Sequence, residues 1–297
     1  PSLNLSLSLN EPLHSKTASH NLPPQPDWTW TGQPTHFRVT MCSMSETTFR
    51  LRLYGHRGAS ALLPENTLPA FSKALADGAN ALELDIHRTV DGHFVVAHDP
   101  HGERLAGVRE EICALGLDQV RCWDVSTTDH RNLECHTVPT LEEVLEAFPE
   151  VPMSIDHKPG DPTAVPDLLD LLARHNAEER VTLASFSRPV VRRIRDLGYK
   201  GRTALTRPEV ALLRFLPAAM ARRVIAGNAA QIPTHSGPIR LDGRRFLEKC
   251  RSLGIRADYW VVNDPAEARK LLEAGATGVM TDDPAIIAPA FRELADR

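Results

Sequence analysis

The stretch at residues 54–71, YGHRGASALLPENTLPAF, places an ionisable pair, His56-Arg57, directly after a short apolar run and follows it with a helix start. Asn66 or Thr67 can cap that helix by accepting its first free N–H groups. A doubly wound open sheet wants a glycine-rich nucleotide turn after its first strand, and Gly55-His56-Arg57-Gly58 is not one. The pair instead has the place of polar residues at the carboxyl end of a strand. Down the chain the same unit recurs: a short β-rich run, polar residues, then a longer segment of helical period. Strands are expected at 50–54, 79–86 (with 94–97 pairing back from the Asp91-Gly92 turn), 152–155, 181–185, 202–205, 229–232, 257–262 and 278–281. Helices are expected to start near Thr67, Thr140, Pro162, Arg188, Pro208, Asp242, Pro265 and Pro284, several with the first-turn proline that favours initiation. Eight strand-plus-helix units over residues 50–297 predict a (β/α)8 TIM barrel of the α/β class.

In such a barrel the chemistry gathers where the strands end. Those ends supply His56-Arg57, Glu83 and Asp85, Asp156 and Lys158, Ser185, Thr206-Arg207, Gln231, Trp260 with Asn263, and Asp282. In NALELDIHRT (80–89), Leu82, Leu84 and Ile86 face one way while Glu83, Asp85 and His87 face the other. Carboxylates two residues apart on a strand stand about 7 Å apart at Cβ, close enough to share one cation. An exposed edge strand with solvated acids would show the same alternation. Burial inside a barrel favours the metal, because paired acids left charged without a partner are very costly there. In VPMSIDHKPG (151–160), Ser154, Asp156 and Lys158 share a face, which makes Asp156 a third candidate ligand. An Asp–Lys surface pair is the plain alternative. Three hard oxygen donors and no thiolate favour Mg²⁺ or Ca²⁺ over zinc. Arg57 and Lys158 beside such an ion suit a phosphate group.

His56 and His98 end two of the apolar runs, and a facing pair of imidazoles can serve as base and acid across one phosphodiester. The chain holds 13 histidines, so His101, His130, His136, His157 and His175 read as structural or exposed. Glu65, in PENT, either turns toward the site to meet substrate or holds the loop. Trp260 is read as a wall for substrate at the top of the lumen, with core filling as the alternative.

Composition frames these readings. The chain is 42% hydrophobic and 24% charged with formal net charge -4, which argues against a nucleic-acid binder working through a basic face. No apolar run is long enough to cross a bilayer, so stable membrane insertion is not expected. Five scattered cysteines without CxxC pairing suggest free thiols and a cytoplasmic setting. Residues 1–49, rich in Ser, Thr, Pro and Asn without a sustained period, read as a disordered or non-native extension ahead of a barrel domain at 50–297. The segment 208–225, PEVALLRFLPAAMARRVI, reads as one apolar helix with arginines, a barrel-coat element or a lipid-surface element.

HRGASALLPENTLPAF, ALELDIHRTVDGHFVVAHDP, VPTLEEVLEAF, SIDHK and YWVVNDPAEARKLLEAGATGVMTDDP together resemble the glycerophosphodiester phosphodiesterase family across nearly all of residues 50–297. The resemblance implies a TIM barrel that cleaves small-molecule glycerophosphodiesters to sn-glycerol 3-phosphate and an alcohol with a divalent metal. It also implies that His56 is the general base and His98 the general acid, that Glu83, Asp85 and Asp156 hold the metal, and that Arg57 and Lys158 take the phosphate. In that family the glycerol 2-hydroxyl is thought to attack phosphorus, giving a cyclic phosphate that water opens. Two departures stand out: Asp156 replaces the usual Glu of an EIK setting, and the segment after HDP lacks the common RTT run. A lysophospholipase D type of activity and a non-catalytic phosphate-binding barrel are the competing functions.

Overall fold

The computed structural model describes residues 49–126, 135–158 and 160–295. The expected extension therefore lies, apart from Phe49, outside the described residues, as do Cys42 and His130. Eight parallel strands form the wall: Arg52–His56, Ala81–Arg88, Met153–His157, Val181–Ala184, Arg202–Thr203, Ala229–Ile232, Arg256–Tyr259 and Gly278–Thr281. Each pairs with its neighbour, the first with the last (Arg52 opposite Gly278), and a single parallel bridge, Ala204 to Ala229, joins the fifth to the sixth. The wall is thus a nearly closed barrel with helices between its strands, as the alternating pattern predicts.

Side chains alternate as a strand requires. Leu82, Leu84, Ile86 and Ile155 turn outward into the main core beneath the helices. Tyr54, Ala81 and Met280 turn inward as a separate cluster. The lumen also contains a fixed ion pair: Arg256 donates to both oxygens of Asp258, which also accepts from the Tyr54 hydroxyl at 3.0 Å and Thr277 Oγ1 at 2.6 Å. Buried charge is tolerated there because every partner is supplied.

The helices start where their caps put them. Thr140 and Glu143 form a capping box for Leu141–Ala147, and Asp264 caps Pro265–Ala274, which stops at the left-handed Gly275. Several expectations need correction: the second strand runs at 81–88 rather than 79–86, and the seventh ends at Tyr259 rather than at 262. The first strand runs two residues later than 50–54, which takes Gly55 and His56 into the wall. The fifth strand covers only Arg202–Thr203 rather than 202–205. The expected helix at 208–225 is two helices, Arg207–Phe215 and Ala218–Val224, because Pro217 lacks an N–H and cannot continue the first. Between the short antiparallel strand Phe94–Val96 and the third barrel strand, short helices at Glu103–Ala106 and Leu117–Val120 pack a small core of their own around Trp123, Ile112 and Val138. Among the described residues, no helix is long and apolar enough to cross a membrane.

Candidate active site

The strands' carboxyl ends open into one cavity of about 470 Å³. His56, Arg57, Glu83, Asp85, His98 and Asp156 line its polar half, with Lys158 and Ser154 beside them. Register explains this convergence: His56, Glu83 and Ser154 lie opposite one another at one level, and Asp85 and Asp156 pair at the next, two residues further along. Trp260 also lines the cavity, in edge contact with Phe186, whose ring lies 5.4 Å from the Arg207 guanidinium. Glu65 is not among the lining residues. It accepts from Arg57 Nη1 at 3.2 Å and from Arg104 Nη2 at 2.7 Å, which holds the loop.

His56 is held by a partner far away in the chain. Its Nδ1 is 2.6 Å from Asp282 Oδ1, and a carboxylate only accepts, so the ring proton belongs on Nδ1 and Nε2 keeps its lone pair. Asp282 is fixed in turn by Asn263 Nδ2 at 2.7 Å and Ser60 Oγ at 3.1 Å. Burial works against an imidazolium here, but the Asp282 hydrogen bond and the Glu83 charge outweigh it and raise the His56 pKa. His98 has a parallel arrangement: Nδ1 is 2.7 Å from Asp99 Oδ1, and Arg104 Nε donates to the other Asp99 oxygen at 2.7 Å. One guanidinium, Arg104, therefore ties the support of His98 to Glu65 and through it to Arg57. Arg57 itself has φ +55°, a left-handed conformation that a branched chain of contacts keeps in place.

The acids differ in how well they are compensated. Lys158 Nζ lies 2.6 Å from Asp85 Oδ1, and Arg57 Nε lies 3.3 Å from its Oδ2. Burial would raise the Asp85 pKa, yet those two cations hold it below the usual range. Asp156 is pushed up to about 6 by burial, which Lys158 at 3.5 Å does not offset. Its Oδ1 is buried without a hydrogen-bond partner. Burial and the neighbouring Asp85 charge likewise drive Glu83 upward. Two desolvated carboxylates with unspent acceptor capacity, and oxygen donors only, fit a hard divalent cation. Among the described residues, Glu142, Glu146 and His175 on the outer surface bring their ligating atoms within 4.8 Å of one another, which Glu83, Asp85 and Asp156 do not. Lys158 stands between the cavity acids Asp85 and Asp156.

Asp282 and Asn263 stand among the strand-end residues expected from the sequence, though without a role, whereas Asp99, Arg104 and Ser60 are site residues the sequence reading did not name. Asp282 carried a signal, since it ends the eighth strand; Asp99 and Arg104 carried none beyond adjacency to His98.

The model of the glycerophosphoryl diester phosphodiesterase family matches residues 56–286. A glycerophosphodiester phosphodiesterase of Caldanaerobacter subterraneus subsp. tengcongensis is 28% identical over 234 residues, covering 77% of this chain and 93% of that protein. Lysophospholipase D GDPD1 of Rattus norvegicus is 29% identical over 275 residues, covering 80% of this chain and 84% of that protein. Among solved structures, a glycerophosphodiester phosphodiesterase from Agrobacterium tumefaciens superposes with a TM-score of 0.68 at 21% identity, over 80% of this chain and 99% of that one.

Proposed function

The chain belongs to the glycerophosphoryl diester phosphodiesterase family, and from that premise we propose that it hydrolyses glycerophosphodiesters to sn-glycerol 3-phosphate and an alcohol. One observation carries the reading: two imidazoles, each with Nδ1 held by a carboxylate, line the same cavity as Arg57, Lys158 and three acids. Binding alone would not require a second oriented imidazole, which weighs against a non-catalytic barrel.

In this reading Arg57 and Lys158 orient the phosphodiester. His56 Nε2 takes the proton of the glycerol 2-hydroxyl as that oxygen attacks phosphorus, and the proton leaves phosphorus-bound oxygen for imidazole. His98 gives its proton to the departing alcohol. The cyclic phosphate is then opened by water with the two roles reversed. Asp282 and Asp99 keep each ring in the tautomer and plane that this exchange needs, as a buried carboxylate does for a catalytic histidine elsewhere. Glu83, Asp85 and Asp156 would hold a divalent cation, Mg²⁺ or Ca²⁺, which when bound supplies positive charge to the phosphoryl oxygens. The described cysteines Cys113, Cys122, Cys135 and Cys250 are free thiols, which supports a cytoplasmic setting.

A second reading, a lysophospholipase D activity, has its own observation. The half of the cavity away from the acids is lined by Phe186, Leu205, Val210, Ile232, Leu241 and Trp260. A glycerol phosphate fills only the polar half, and the apolar half suits an acyl chain on the terminal carbon of the glycerol.

A coupled assay for glycerol 3-phosphate, run on glycerophosphocholine and glycerophosphoethanolamine, tests the first reading, and choline release from lysophosphatidylcholine tests the second. Release should cease with EDTA and fall by about 10²- to 10⁴-fold in His56→Ala, the range for loss of a general base, with the fold intact. A variant that keeps near-normal rates would remove His56 from the chemistry.

A further inference from the structure

Formal charge is distributed unevenly along this chain. Residues 188–251 hold fifteen Lys and Arg against four Asp and Glu, although the whole chain is net -4. Three of those four acids are already engaged: Asp196 with Arg192, Glu209 with Arg195, and Asp242 with Arg240. Arg193, Arg214, Arg222, Arg223, Arg244 and Arg251 all stand exposed on the helices Arg188–Asp196, Arg207–Phe215, Ala218–Val224 and Arg244–Ser252, which follow one another along this stretch of the barrel's coat.

Apolar side chains are interleaved with them. Among the described residues, six of the ten exposed large hydrophobics fall between residues 186 and 224: Phe186, Leu197, Leu212, Phe215, Met220 and Val224. Helical spacing makes the arrangement two-sided. Glu209 and Leu213 are the buried positions of Arg207–Phe215, which leaves Leu212 and Phe215, three apart, on its outer side. Ala221 is the buried position of Ala218–Val224, with Met220 and Val224, four apart, outward. The Arg214 guanidinium lies 5.5 Å from the Phe215 ring centroid, so charge and apolar surface are presented together.

We infer that this flank is a docking surface for an anionic phospholipid bilayer, bound peripherally and reversibly. Charge complementarity selects the anionic surface, and the exposed Phe, Met, Leu and Val select a lipid over a nucleic acid, which has no use for aliphatic side chains on its backbone contacts. The flank is also continuous with the site: Arg207 and Val210, in the first turn of its central helix, line the cavity. A lipid seated on the helices thus lies next to the apolar half of the cavity. This inference goes beyond the catalytic reading and is measured without turnover, so either can fail alone.

The test is co-sedimentation of the full chain with vesicles of phosphatidylcholine alone or with about one lipid in three as phosphatidylserine, an anionic-leaflet composition. Binding to the anionic vesicles should exceed binding to the neutral ones at least tenfold, and should collapse near 0.5 M salt, where screening shortens to roughly 4 Å. The triple variant R193E/R214E/R223E and the single variant Phe215→Ser, each with a wild-type melting midpoint, should both bind anionic vesicles more weakly, the triple by at least tenfold. Equal affinity for both vesicle types, or an unaffected triple variant, overturns the inference. So does binding to duplex DNA that the triple variant loses while Phe215→Ser retains it, an outcome that reassigns the face to a polyanion without apolar contact.

Discussion

His56 shows how a residue 226 positions away can fix the tautomer of a single side chain. Its Nδ1 contact with Asp282, at 2.6 Å, decides which nitrogen is free to accept a proton. Asp282→Asn should preserve the fold, since the amide can still fill the same place among Ser60 and Asn263. An amide can also present its N–H to the ring and stabilise the opposite tautomer, with no carboxylate charge to support an imidazolium. The maximal rate is therefore expected to fall by about 10²-fold or more while KM changes little, read in steady-state kinetics on glycerophosphocholine. An equal rise in KM without loss of rate would assign Asp282 to binding instead. Strand alternation made Glu83 with Asp85, and Asp156 with Lys158, legible as pairs on one face, while His56 and His98 were legible as the residues that end two apolar runs. It gave no sign that Glu65, Arg104 and Asp99 form a chain from Arg57 to His98, because those contacts depend on how a loop of 39 residues' separation returns. That return is a property of the packed small core around Trp123, not of any local period.

At the level of elements, one residue anchors the connection between the fifth and sixth strands. Glu209 closes the capping box with Thr206, makes two hydrogen bonds with Arg195 at 2.9 and 3.2 Å, and accepts from the N–H groups of Ala226 and Gly227. Burial would raise its pKa, but Arg195 and these N–H donors hold it at about 2, down from 4.5. The folded-state value lies below the unfolded one, so the stabilisation is fully present above pH 4.5 and is lost as pH falls toward 2. Glu209→Gln should cost about 2 kcal/mol near neutrality, which removing one partner from a mostly buried charge pair warrants, and thermal melts should show it. Its melting midpoint should also fall less steeply than wild type between those pH values; parallel slopes would deny Glu209 the coupling. Element positions were largely legible, since prolines and capping residues mark helix starts. The break at Pro217 was readable in principle and was overridden by the apolar period on both sides of it. The short fifth strand was not readable, because only Arg202–Thr203 form a ladder, with Ala204 adding a single bridge to Ala229.

For the molecule as a whole, the barrel brings together charges that an unfolded chain would keep apart, and the cavity's own cations offset only part of that cost. The eightfold alternation was enough to read this architecture, whereas the balance among its acids emerges only when register sets Asp85 opposite Asp156. Lys158 and Arg57 satisfy Asp85, but Asp156 keeps an unpartnered buried oxygen and a pKa near 6, and Glu83 is raised by burial. A divalent cation held by these side chains would bind the folded chain alone and would therefore stabilise folding. At a free concentration about a hundred times Kd the gain is about 2.7 kcal/mol, which for a chain of this size is a rise of roughly 5–10 °C in Tm. The wild-type protein should therefore melt higher with Mg²⁺ or Ca²⁺ than with EDTA. The shift should shrink in Asp156→Asn and vanish in Glu83→Gln/Asp156→Asn, while both variants in EDTA should melt at or above wild type because a desolvated, poorly paired carboxylate has been removed. Surface acids such as Glu142 and Glu146 remain in those variants and serve as the internal control. A metal-dependent rise that survives the double substitution would move the ion from the cavity to that outer group.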